Sequence, residues 1–475
     1  MGTRRILLLI SILFIAAQTA NAGPSNRHAE NRDRNQPNVP VNLVGFGAPL
    51  PGVAHDSRDL GLFATGQINF KEIDTLPAVG PIMNGVSCAG CHSQPAIGGG
   101  GLFINEVRVR NNTHPGPLHI FAVDNFLRNG PQTQGTTVIF PQGVEAEPLG
   151  CQITTSGCQL SACQTEEALR TTFTPDLPTC DTASPSFKSG GNCVAGRSAL
   201  PLFGDGLVEA VSDQTFEQIA QSEPSQIQGT VKMVTENFAS VAHVGRFGWK
   251  DDHATLRGFS GDAYLNEMGI TNPDNKAEVS ECALNETLPY GLQYETPLDQ
   301  EFEDPTGADG HADIDRFSDF MRALAPPPTL PRNALAKNGA KLFADLGCAG
   351  CHTPSLTTDS NPSSFIPATT GGVAISHSLN ESLANQTFHP YSDFLLHDMG
   401  SLGDGITSGA AGPTMMRTAP LWGVRAKSQF LHDGRAGDLA AAITFHDGQG
   451  KPAAQAFGAL SAHAQQDLVS FLNTL

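Results

Sequence analysis

The pentapeptide Cys-Ala-Gly-Cys-His occurs twice in this chain, at Cys88–His92 and at Cys348–His352. Cys-x-x-Cys-His is the attachment signature of c-type haem. Each thiol forms a thioether with a vinyl group of one porphyrin, and the adjacent imidazole lies under the iron as its proximal ligand. The spacing therefore predicts Cys88, Cys91 and His92 as the holders of haem 1, and Cys348, Cys351 and His352 as those of haem 2. Two other uses of CxxC compete. A zinc ribbon would draw both pairs to one ion, but they lie far apart and each carries its own trailing His. A thiol redox pair suits a strand–helix junction, whereas Gly98–Gly101 and Pro354 follow the two copies, as in loops.

The elements around these residues form a repeat. After the first pentapeptide comes Arg197-SALPLFG, and after the second comes Arg417-TAPLWG. Farther on, Gly245-Arg246-FGWKDDHATL in the first half is echoed by His432-DGRAGDL in the second. Between the halves, HADIDRFSDFMRALAPPPTLPRN has the pattern of an amphipathic helix stopped by Pro326–Pro328, a natural boundary. Next, Ala334-LAKNGAKLFADLGCAGCH predicts a helix running straight into the haem motif, the usual opening of a cytochrome c domain. The expected fold is mainly α, with two cytochrome c-like haem domains and a disulfide-rich loop insertion in the first. The first domain spans 42–325 with the insertion at about 151–193, a Pro-rich linker occupies 326–332, and the second domain spans 333–475.

Ten cysteines and the chain start bear on compartment. MGTRRILLLISILFIAAQTANAGPS has a basic head, a short apolar run and a small-residue site, which predicts a signal peptide over 1–22 with cleavage after Ala22. The junction lacks the cysteine of a lipid-anchored product, and the apolar run is short for a membrane span. The expected product is exported or periplasmic, with no membrane span after processing. Outside the pentapeptides stand Cys151, Cys158, Cys163, Cys180, Cys193 and Cys282, an even set that suits disulfides in an oxidising compartment. Loss of Arg4 and Arg5 with the leader moves the formal charge from −19 to −21. Such a surface argues against nucleic acid and anionic membrane as partners and suits a basic protein.

Taken together, CAGCH, RSALPLFGDGLVEAV, GRFGWK, NEMGIT, LLHDMG, RTAPLWG and FLHDGRA resemble the di-haem oxidoreductase family, whose members are described as peroxidases. That family is similar to bacterial dihaem cytochrome c peroxidases and to the dihaem enzyme of methylamine dehydrogenase maturation. The resemblance spans roughly residues 42–475 in motif order. It implies two covalently bound c-type haems, a small redox protein or cytochrome as electron donor, and hydrogen peroxide as oxidant. Haem 2 would pass electrons to a reactive haem 1. The alternatives are an electron-transfer cytochrome without peroxide chemistry, or an oxidase of a protein or organic substrate.

The distal side of each haem decides between these. His446 follows His432 by fourteen residues, the spacing at which related enzymes carry the distal ligand of the second haem. His446 is thus the expected sixth ligand of haem 2, with Met399, Met415 and Met416 as alternatives. In the first half the same step from Leu256 reaches Ala263, beside Tyr264, and no such ligand stands in that exact place. Glu267, in NEMGIT, corresponds to the acid on the distal side of the reactive haem. Such a carboxylate takes a proton from one peroxide oxygen and returns it to the leaving one. Related enzymes often hold Gln ten residues earlier; here Arg257 stands there, able to orient peroxide or to pair with Glu267. His114 or His119 is a candidate displaceable ligand of haem 1. Trp249 is the expected electron relay, ahead of Trp422, because related enzymes have a Trp just before the reactive-haem helix. Calcium at Asp304, Asp309, Asp313 and Asp315 is unsupported, since the spacing is not that of an EF-hand.

Overall fold

The computed structural model describes residues 45–74, 87–101, 104–110, 118–120, 152–154, 157–159, 180, 193–268, 270, 272–275, 310–369, 372 and 374–475. The leader, most of the expected insertion, His114, Asp304 and Asp309 lie outside the described residues, as does the side chain of His119.

Helices joined by long loops and a few short strands make up the described chain. Two crossed helix pairs organise it. In the first, Ser57–Lys71 begins at Asp56, whose carboxylate accepts from the Arg58 and Asp59 amides, and it buries Phe63, Gly66 and Phe70. Its partner, Asp313–Ala323, carries Phe317 and Phe320 to the same core. A Cβ on Gly66 would collide with the Arg316 carbonyl and with Phe320, so glycine sets how closely these helices approach.

The second pair repeats the device. Ala334–Asp345 is capped by Asn333, and Ala462–Leu472 by Ser461. Gly339 meets the backbone of Asp467, and Phe343 packs against Phe471 with ring centroids 5.3 Å apart. Gly66-x-x-x-Phe70 and Gly339-x-x-x-Phe343 are therefore the same crossing built twice.

The halves are not independent in their packing. The larger core joins Phe70, Leu202, Phe203, Phe216, Leu256, Tyr264 and Phe320 to Leu356, Leu383, Phe388 and Trp422 from beyond the Pro-rich segment. Gly204 and Gly423, matching positions of the two Arg-Ser/Thr-Ala motifs, both adopt the left-handed region at φ +78° and +69°. Each lacks room for a Cβ. Gly204 abuts Trp422 and Pro326, and Gly423 abuts Pro327 and Phe46. Residues 326–328 are thus packed between the two motifs, as a Pro-rich segment with few conformational options can be at low entropic cost.

Backbone hydrogen bonds are exchanged between the halves. The Ser198 amide donates to the His432 carbonyl (2.6 Å), and the Arg417 amide donates to the Trp249 carbonyl (2.9 Å). Buried charge ties the same region together: the Asp404 carboxylate accepts from Arg197 Nε (2.8 Å) and pairs with Lys250 (2.9 Å).

Candidate functional site

Each pentapeptide forms a single short helical turn, Cys88–Cys91 and Cys348–Gly350, that presents its histidine to a crossed helix pair. The Phe70 ring lies 6.2 Å from that of His92, and the Phe343 ring lies 6.3 Å from that of His352. His92 Nδ1 sits 3.0 Å from the Leu200 carbonyl and 3.2 Å from that of Gly99. His352 Nδ1 sits 2.9 Å from the Tyr391 carbonyl, turned inward because Tyr391 holds φ at +54°. Backbone carbonyls accept only from a protonated nitrogen, so Nδ1 carries the hydrogen and Nε2 is left with its lone pair. This is the arrangement that metal-binding histidines take. Burial lowers both rings to about 4, with the nearby His446 adding to the effect at His352, so each is a neutral ligand at ordinary pH.

The thiols fit as well. Cys88, Cys91, Cys348 and Cys351 are free, whereas Cys180 is disulfide-bonded. Burial, assisted by Asp74, raises the Cys88 thiol, and burial raises Cys348 to about 11. Neither has the depressed pKa of a redox-active thiol. The residues present therefore suit a group tethered through sulfur and bound through one imidazole.

The far sides of the two histidines differ. His446 lies at the end of the Leu439–Thr444 helix, which Asp438 caps. Its Nδ1 bonds the Ala442 carbonyl at 2.9 Å, and its ring centroid lies 6.3 Å from that of His352. An imidazole nitrogen holds a transition metal at about 2 Å, so one ion between these two rings accounts for the gap once the ring radii are added. The methionine alternatives are placed otherwise. Met415 Sδ accepts from the Gly412 amide at 3.3 Å, and Met416 is buried against Trp249. Met399 packs on the same cluster, and its methyl group lies beside Gly450, whose other neighbour is His446.

On the first side stands the Leu256–Met268 helix. Tyr264, buried at 4 %, packs on Phe317 at 5.2 Å, and its hydroxyl lies 3.5 Å from Asp313. The Asp313 charge also contributes to the raised Cys88 pKa, which places this helix beside the first pentapeptide. Glu267 is partly buried one turn beyond Tyr264, on the same helix face. Arg257 is engaged away from that end. Its Nε and Nη2 fork onto Asp274 at 2.7 Å each, and Nη1 donates to the Ala368 carbonyl. Asp313 and Asp315 have helix-start roles: Asp313 accepts from Asn69 at 2.9 Å, and Asp315 accepts from the Ala312 amide at 3.1 Å.

Trp249 is 7 % exposed and clusters with Leu200 and Met416, with Met399 packed alongside. Leu200 is the residue whose carbonyl holds His92, and Met399 adjoins the Gly450–His446 contact. The indole thus stands between the two histidine sites. Trp422 lies instead between Phe388 and Gly204, its indole nitrogen buried without a hydrogen-bond partner.

Over residues 188–475, more than half of the chain, the sequence matches the family described as "Di-haem oxidoreductase, putative peroxidase". The chain belongs to that family. The di-haem oxidoreductase match contains the second pentapeptide, and the first lies ahead of it. As a di-haem oxidoreductase the chain has haem as its cofactor, in agreement with the chemistry of the donor sets above. No curated protein matches the chain. Among solved structures it is similar to the hydrazine synthase of Kuenenia stuttgartiensis, at 13% identity over 100% of both chains with a TM-score of 0.33. It is also similar to a MauG-like protein associated with microbial copper homeostasis, at 12% identity, covering 58% of this chain and 89% of that one, with a TM-score of 0.28. Likenesses that distant carry no structural argument.

Sequence reasoning missed two features of the site. The Gly66/Phe70 and Gly339/Phe343 pairs escaped because a G-x-x-x-F spacing is common, although its recurrence before both pentapeptides was a usable signal. Asp393 and His397, which adjoin Cys351, gave no local signal of contact with it. His397 Nδ1 lies 3.6 Å from Cys351 Sγ and its Nε2 lies 3.0 Å from Asp393 Oδ2. Burial works against the imidazolium there, but Asp393 and Cys351 outweigh it and raise His397 to about 11.

Proposed function

We propose that this chain is an exported di-haem c-type oxidoreductase of peroxidase type, taking electrons from a small redox protein at haem 2 and using them at haem 1. The single observation that carries the proposal is the position of Trp249, in one apolar cluster with Leu200 and Met399, between the His92 and His352–His446 sites. An electron path of that kind has a use only if the two sites differ in task, and their far sides do differ.

The haems supply one-electron redox chemistry and a place for peroxide to bind. Everything else belongs to the chain. Cys88, Cys91 and His92 hold the first haem, and Cys348, Cys351 and His352 hold the second. His446 closes the second site by giving it another nitrogen ligand, which favours electron transfer over substrate binding. Glu267 takes a proton from one peroxide oxygen on a carboxylate oxygen and returns it to the departing one. Arg257, through Asp274, fixes the start of the helix that carries Glu267. The acidic surface suits a basic donor.

The paired helix crossings support two cytochrome c-like domains, at 42–325 and 333–475. The disulfide at Cys180 supports a cross-linked insertion at about 151–193 and an oxidising destination. Electron paramagnetic resonance of the oxidised and half-reduced protein, with and without peroxide, tests the central claim. One haem is expected to be high-spin or to respond to peroxide. Two haems that stay low-spin in every state and ignore peroxide would leave an electron-transfer cytochrome.

A further inference from the structure

The four pentapeptide cysteines look equivalent in sequence, but Cys351 has a distinct setting. The Leu396–Asp398 strand pairs with Met415–Arg417, and Leu396 exchanges backbone hydrogen bonds with Thr230 at 2.8 and 3.2 Å. That strand holds His397, 1 % exposed, with Nδ1 3.6 Å from Cys351 Sγ and Nε2 3.0 Å from Asp393 Oδ2. Asp393 is fully buried and fixed twice more. Its Oδ1 accepts from the Leu395 amide, and its own amide donates to the Cys351 carbonyl, both at 2.9 Å. Among the described residues this is the one group of three His, Cys, Asp or Glu side chains whose donor atoms all lie within 4.8 Å. A carboxylate that receives the Nε2 hydrogen leaves the Nδ1 lone pair aimed at the sulfur. That is the geometry of a thiol with a base behind it and an orienting acid behind the base.

We propose that His397 and Asp393 form a proton relay that joins Cys351 to a vinyl group of haem at the second pentapeptide. In this addition the S–H bond breaks and a bond forms between sulfur and the vinyl carbon next to the ring. The sulfur's proton passes to His397 Nδ1 and is returned to the outer vinyl carbon. Atoms balance and no electrons are gained or lost. His397 is the catalytic residue of this step because it touches the reacting sulfur. Asp393 is a positioning residue that fixes the tautomer and faces the imidazolium while it exists. The inference rests on the proposal that both pentapeptides tether haem.

The test uses the full chain produced in a host that attaches haem to exported proteins, and the chain contains its own reference. Intact mass, thiol alkylation and peptide mapping report attachment at Cys88–His92 and Cys348–His352 separately, and the pyridine haemochrome band reports unreacted vinyl groups. In His397→Gln and His397→Phe, the second peptide is expected to carry haem through Cys348 alone, with Cys351 free to alkylate. The first peptide keeps both thioethers, which separates loss of the relay from loss of the fold. Asp393→Asn is expected to give a mixture of singly and doubly attached second peptide. Complete double attachment at the second peptide in either His397 variant overturns the relay. A wild-type chain without covalent haem on either peptide overturns instead the tethering proposal beneath it.

Discussion

Trp249 and His432 meet edge to face, with ring centroids 6.1 Å apart and planes at 74°. Each stands two residues after a phenylalanine that closes a backbone bridge, Phe247 to His253 and Phe430 to Ala436. The two rings are therefore matching positions of the internal repeat, brought together where the halves exchange hydrogen bonds. Their chemistry has diverged. The Trp249 indole donates to the Ser198 carbonyl at 2.9 Å, whereas burial lowers His432 to about 4 despite the nearby Asp433 and Asp404.

Trp249→Phe keeps an aromatic ring but loses that hydrogen bond, at a stability cost of about 1 kcal/mol. Electron transfer between the haems, followed by rapid mixing of the half-reduced protein with peroxide, is expected to slow while haem content stays constant. An unchanged rate would remove Trp249 from the path.

His446→Ala removes the ring that faces His352 at 6.3 Å. Haem 2 is expected to change from low to high spin in its absorption and resonance spectra. If the spectrum is unaltered, Met399 is the ligand to examine next, since it already lies beside the same glycine.

Glu267→Gln preserves size and removes the proton acceptor. General acid–base groups contribute about 10²-fold or more to rate, so peroxide turnover is expected to fall by at least that order while both haems remain attached. Undiminished turnover excludes Glu267 from the chemistry.

His253 gives a pH prediction away from the haems. It lies 3.2 Å from Asp262, on the Leu256–Met268 helix, and 3.3 Å from Glu236. Burial opposes its charge, but the two carboxylates outweigh burial and raise it to about 10 from 6.5. The folded state thus binds this proton more tightly than the unfolded chain. The associated stability is complete below pH 6.5 and is lost as pH rises toward 10. Melting curves of wild type and His253→Gln should lie farthest apart at the acidic end and converge in alkali; a constant separation would contradict the assignment.

Gly339→Ala places a methyl group against the Asp467 carbonyl at the second helix crossing. Overpacking of this kind costs about 1–3 kcal/mol. Chemical denaturation is expected to show that loss, and the same change at an exposed glycine with open space, Gly458, serves as the comparison.

Covalent logic and local pattern were legible in the sequence. The two pentapeptides, their histidines, the repeated Arg-Ser/Thr-Ala motifs and the helix entering Cys348 all depend on residues close together in the chain. The spacing from His432 also led to His446, because one short helix carries the chain that distance. Only the tertiary structure decided which distant groups meet. Arg257 binds Asp274, not a partner its helix spacing suggested, because a loop returns that carboxylate to the helix start. Asp393 and His397 reach Cys351 from more than forty residues away through a strand whose register no local pattern fixes. Trp249 lies against Leu200 and His432 because the halves exchange backbone hydrogen bonds, a long-range pairing whose energy is absent until both halves are folded. Sequence determined what can be tethered here; packing decided what stands opposite each tether.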